Sequence, residues 1–187
     1  MVWVIIAVLV IALVVAGVVI VRQRRSQRLQ EGFGPEYGRT LAETGDRRAA
    51  EAELLERRDR RRQLDIRDLD PESRERYAER WRGVQRTFVD QPSVAVAKAD
   101  RLVSEVMRDR GYPIEEDFER RAADVSVDHP TVVENYRAAH GISIRAARND
   151  ADTEDLRQAL VHFRALFEHL LAADDRSRDM NEAKEMH

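Results

Sequence analysis

Residues Val2 to Val21 read VWVIIAVLVIALVVAGVVIV, an unbroken apolar run, and Arg22, Arg24, Arg25 and Arg28 follow at once. A helix rises about 1.5 Å per residue, so roughly 20 apolar residues match a hydrocarbon core about 30 Å thick. The many β-branched side chains do not oppose a helix here, because in lipid the backbone must satisfy its own hydrogen bonds. The run therefore predicts one transmembrane helix over residues 2–21. Trp3 falls at its outer end, where an indole suits the headgroup layer. A cleaved leader is the competing reading, and it needs a basic segment before a shorter apolar stretch. No basic residue precedes this run, and four apolar residues still follow Gly17. An uncleaved anchor is expected.

Charge sets the expected orientation. Cytoplasmic flanks carry the excess of Lys and Arg close to a span. Four arginines follow the run before the first acid, Glu31. The N-terminus is thus expected outside and the bulk of the chain in the cytoplasm, at a cell membrane crossed once. Trp3, Arg22, Arg24, Arg25 and Arg28 are the membrane-interface residues, and an anionic leaflet would attract those arginines. Ala12, Ala16 and Gly17 have the spacing of a small-residue helix contact, but such residues are common in membrane helices.

The remaining residues are numerous enough for one domain with a core. The chain has no cysteine, which excludes disulfides, thiol catalysis, Cys-ligated metals and a lipidated cysteine. Residues 1–62 hold 12 basic and 8 acidic side chains, net +4, whereas residues 63–187 hold 20 and 27, net −7. An acidic distal domain lacks the basic footprint that nucleic-acid binding needs. A basic neck would instead hold that domain off an anionic surface.

Residues 22–45 read as a basic juxtamembrane neck or linker. Gly32, Gly34, Pro35 and Gly38 punctuate it as a loop, with Phe33 and Tyr37 anchoring it. Residues 46–64 form a charged helix with few apolar side chains, chiefly Ala50, Leu54 and Leu55. Such a helix packs weakly, extends as a stalk or pairs with another chain. Its cluster Arg57, Arg58, Arg60, Arg61 and Arg62 is read as a solvated face rather than a phosphate site, because acids interleave with it.

Residues 65–173 predict a helical bundle. Asp70 and Pro71 start a helix as N-cap and first residue. Tyr77, Trp81, Val84 and Phe88 line one face of it. Pro92 opens the next helix, which ends at Gly111. A short acidic helix is expected over 114–125, and Asp128 as cap of another with Tyr136 and His140 inside. The pattern becomes less helical beyond His140. Asp152 or Thr153 caps the last helix, whose Leu156, Leu160, Phe163, Phe167 and Leu170 give the cleanest amphipathic stripe. Residues 174–187 read as a disordered tail. No segment alternates with period two. The fold class is all-α: a transmembrane helix, a charged neck helix, and a bundle of about four or five helices.

Chemistry is sparse. Gly-rich phosphate loops, HExxH and Glu-x-x-His pairs are all absent. His162 and His169 lie seven apart, about 10.5 Å along a helix, too far to share a metal directly. Ser126, Asp128 and His129 are close in sequence, but a triad needs convergence in space. Tyr136 and His140 are the one polar pair on an inner face, read as a buried hydrogen-bonded pair or polar pocket. No catalytic, cofactor or metal residue is assigned.

The strings FGPEYGRT (33–40), GDRRAAEAEL (45–54), ERYAERWRGVQRTFVDQP (75–92) and SVDHPTVVENYRAAH (126–140) resemble an uncharacterised actinobacterial family of membrane-anchored α-helical proteins. The resemblance covers about residues 33–171. It implies an anchor followed by a helical region, with no reaction, cofactor or partner. The expected function is a membrane-anchored cytoplasmic interaction or scaffold module, partnered by the lipid bilayer and by a protein or a second copy of itself. The alternatives are an enzyme using the Tyr136/His140 pocket, or an envelope-facing domain of inverted topology.

Overall fold

The computed structural model describes residues 2–114 and 117–172. Among them are eight helices and no strand: α1 (Val2–Phe33), α2 (Pro35–Thr44), α3 (Arg47–Gln63), α4 (Pro71–Asp90), α5 (Pro92–Asp109), α6 (Phe118–Asp128), α7 (Val133–Ala147) and α8 (Thr153–Leu171). The all-α expectation holds. The tail expected at 174–187 lies outside the described residues. The chain divides into two compact units between Glu56 and Arg57, within α3.

In the first unit α1 is a single helix of 32 residues, about 48 Å long. Among the described residues no helix is long and apolar enough to cross a membrane. The side chains of Val2 and of residues 4–12, 14, 15 and 18 lie outside the described set, and the expected span falls largely on them. Its described large apolar side chains are exposed, Trp3 at 82%, Leu13 at 72% and Val21 at 66%.

The loop expected between 30 and 45 is instead mostly helix. Gly34, with φ 48°, makes a tight turn, Pro35 opens α2, and Gly45, with φ 67°, closes it through an N–H bond to the Leu41 carbonyl. Only these two glycines act as breaks; Gly32 and Gly38 sit inside helices, where a glycine weakens but does not forbid the conformation. Phe33 and Tyr37 are buried, together with Leu29, Ala50 and Leu54. The Tyr37 hydroxyl lies 3.3 Å from the Ser26 hydroxyl and donates to Glu51 Oε1 at 3.1 Å, which ties α1, α2 and α3 together.

The second unit is a five-helix bundle, α4–α8, with the last turns of α3 added. α5 is its centre: it packs on α4, α7 and α8. Its Ala95, Val96, Ala99, Leu102, Val103, Val106 and Met107 are all buried, and the alanines let neighbouring helices approach. The aromatic stripe of α4 meets α8, where Trp81 stacks on Phe167 with centroids 4.7 Å apart. Phe88 is only partly buried at the edge of the core.

Helix ends follow local chemistry. Asp70 accepts from the Ser73 N–H at 2.7 Å, and Asp152 and Asp155 form a capping box at the start of α8. Gly111, at φ 94°, ends α5 in a Schellman motif: its N–H bonds the Arg108 carbonyl and the Tyr112 N–H bonds that of Met107. Asn149, at φ 56°, ends α7 in the same way: its N–H bonds the Ala146 carbonyl and the Asp150 N–H bonds that of Arg145. α7 therefore continues seven residues past His140. The acidic helix starts four residues later than expected, with Asp117 as its cap. Asp128 is no cap. It is the last residue of α6, and α7 begins at Val133 with no side-chain cap.

Candidate functional site

Tyr136 and His140 occupy one face of α7, yet no hydrogen bond joins them. Phe118 of α6 lies against both, with its ring centroid 4.9 Å from that of Tyr136 and stacked 3.6 Å from that of His140. The Tyr136 hydroxyl instead accepts from Arg121 Nε at 3.0 Å, and Arg121 also donates to the Ile114 carbonyl at 2.9 Å. Helical spacing alone shows the shared face of Tyr136 and His140. It cannot show the ring inserted against that face from another helix.

Tyr136 is fully buried. Burial pushes its phenol above the ordinary tyrosine range, with Arg121 opposing. The bond from Arg121 to its hydroxyl ties α7 to α6. The Nδ1 of His140 is buried without a hydrogen bond and lies 3.8 Å from Asp100 Oδ2, an ion pair only when the imidazole is protonated. A groove of about 570 Å³ between α4 and α8 and one of about 380 Å³ between α5 and α7 both exclude these two residues.

The other sequence candidates are dispersed. Ser126 is buried and donates to the Ala123 carbonyl at 2.6 Å. Asp128 accepts from Tyr112 at 2.6 Å and from Arg61 at 2.5 Å. His129 faces His169 edge-on at 6.0 Å. Among the described residues no group of three or more His, Cys, Asp or Glu side chains could hold a metal.

The cluster Arg57–Arg62 is largely engaged within the fold rather than forming a solvated face. Arg57 is buried, Arg60 bonds the fully buried Asp124 at 2.8 Å, Arg61 bonds Asp128, and Arg62 pairs with Asp59 at 3.2 Å. The Arg60 and Arg61 bonds dock the end of α3 on α6, so this part of the charged helix is no free stalk. Arg110, which the sequence does not single out, is 2% exposed and donates to the carbonyls of Arg67 and Leu170 and to Asp68. It holds the connector after α3 to the end of α8. Its only sequence signal is its place before Gly111.

The arginines that follow the apolar run are placed differently. Arg22, Arg24, Arg25 and Arg28 are exposed on α1. Arg22 and Arg25 line a groove of about 630 Å³ whose other wall carries Arg47 and Arg48 of α3. Comparison with family models, curated proteins and solved structures found no match to this chain.

Proposed function

We propose that this protein is a membrane-anchored interaction module: Val2–Val21 crosses the cell membrane once, and the helical bundle lies on the cytoplasmic side, where it binds a protein partner or a second copy. The apolar run at the start of one continuous 32-residue helix carries this reading. Exposed Trp3, Leu13, Val19, Ile20 and Val21 support it, since a helix with such a surface is costly in water and favourable in lipid. The arginines after Val21 support the orientation. The actinobacterial membrane-anchored family that the sequence resembles fits the same arrangement.

The interaction role is supported by how the bundle uses its polar groups. Tyr136, Ser126, Asp124, Asp128 and Arg110 all serve internal bonds. On this reading, what the domain contributes is its position at the membrane.

Alkaline carbonate extraction of membranes tests the anchor. The full chain should remain in the pellet, and a chain beginning at Arg22 should move to the supernatant. A full chain released by carbonate would contradict anchoring. Light scattering of the full chain in detergent tests the interaction role: a strict monomer that also never co-purifies with a partner would contradict it.

A further inference from the structure

The groove between α1 and α3 has a composition that the anchor alone does not require. Arg22 and Arg25 come from α1, Arg47 and Arg48 from the first turn of α3, more than twenty residues further along the chain. Glu51 is the one acid lining it, and it already accepts the Tyr37 hydroxyl. None of the four guanidiniums has a hydrogen bond or ion pair among the described residues. Elsewhere Arg39 pairs with Glu43, and Arg60, Arg61 and Arg62 pair with aspartates. The arginines that converge on the groove are thus left without acids, in a protein that pairs many others. Asp46 caps α3 by accepting the Ala49 N–H, so the guanidiniums, not the helix end, are the available donors.

The depth of the groove indicates what these donors meet. Arg22 directly follows Val21, and Arg22–Ser26 lies within about 7.5 Å of Val21 along the helix axis. The polar layer on each side of the hydrocarbon core is roughly 5–7 Å thick. If Val2–Val21 spans the bilayer, this end of the groove lies at the level of the lipid phosphates. Guanidinium matches phosphate by bidentate, charge-assisted hydrogen bonds.

We propose that this groove binds the phosphate of an anionic phospholipid headgroup, with Arg22 and Arg25 on one side and Arg47 and Arg48 on the other. The site rests on the membrane-anchored reading above. It turns a general attraction of basic residues to the leaflet into a formed site that joins α1 to α3.

The test uses the full chain purified in a neutral detergent and titrated, by native mass spectrometry, with short-chain phosphatidylglycerol, short-chain phosphatidylcholine or inorganic phosphate. Phosphatidylglycerol should bind in preference to the other two. The double variant Arg47→Gln/Arg48→Gln should weaken it roughly thirtyfold. Arg24→Gln/Arg28→Gln removes the same charge from α1 outside the groove and should weaken it less than about threefold. Equal weakening by both pairs would overturn the site in favour of diffuse attraction. Phosphatidylcholine binding as tightly would remove the need for an anionic headgroup, and phosphate binding as tightly would make it a free-anion site. Carbonate extraction of the same variants separates the two claims. A pelleted protein with no difference between the pairs contradicts only the groove, whereas a carbonate-soluble one contradicts the anchor.

Discussion

Gly111 shows how one residue can fix a junction. Its φ of 94° is a conformation that side-chain-bearing residues rarely adopt, and a Cβ there would stand 2.2 Å from the Asp65 carbonyl oxygen. Neither the turn nor the backbone packed against it can yield easily. Gly111→Ala should cost on the order of 3 kcal/mol in chemical denaturation. Asn149→Gly, at the equivalent position of α7, should be neutral or slightly stabilising; a neutral Gly111→Ala would contradict the packing described. The tyrosines make a second prediction at this scale. Burial, reinforced by Asp109 for Tyr77 and by Asp128 for Tyr112, pushes both phenols above their ordinary range, and burial does the same for Tyr136. A raised phenol keeps its proton in the folded state while the unfolded chain loses it. This contribution is complete below the ordinary tyrosine value of about 10 and is lost as pH rises above it. Stability should therefore fall above about pH 10, with phenolate absorbance for these three appearing only as the protein unfolds. Phenolate from all three in a protein that keeps its native circular dichroism would contradict this.

At the scale of elements, α3 is the least expected result. Its sequence is highly charged, and charge suggests solvent. The structure places Asp124 and Asp128 of α6 opposite Arg60 and Arg61. Asp124 is fully buried, so removing its partner leaves an uncompensated charge. Arg60→Ala should cost about 3 kcal/mol, and adding Asp124→Ala should recover part of the loss by removing the stranded carboxylate. A double variant as unstable as the sum of the two single ones would show that the pair is not coupled. The contrast with α4, α5 and α8 explains what was legible beforehand. Their caps and stripes are local: Asp70, Gly111, Asp152 and the apolar positions of α8 are readable from spacing alone. The partners of Arg60, Arg61, Arg110 and Tyr136 lie 15 to 67 residues away, and spacing within one helix carries no record of them. The region 30–45 misled for another reason. Its glycines and proline mark helix ends and helix interiors alike, and only the backbone angles at Gly34 and Gly45 separate the two.

For the whole molecule, the account rests on the segment that opens the chain. The proposed role, a domain that works by where it is held, draws on a long helix that opens with an apolar run and on the unpaired arginines beside that run. The chain's lack of cysteine makes the decisive measurement clean. One variant carries a cysteine inserted directly after Met1; the other is Val89→Cys, at a position 80% exposed on α4. Each is treated with a membrane-impermeant maleimide in sealed, right-side-out vesicles and again after permeabilisation. The N-terminal cysteine should label in sealed vesicles, and Val89→Cys only after permeabilisation. Labelling of both, or of neither, in sealed vesicles would contradict a membrane-crossing segment, and the reverse pattern would contradict the cytoplasmic placement of the bundle.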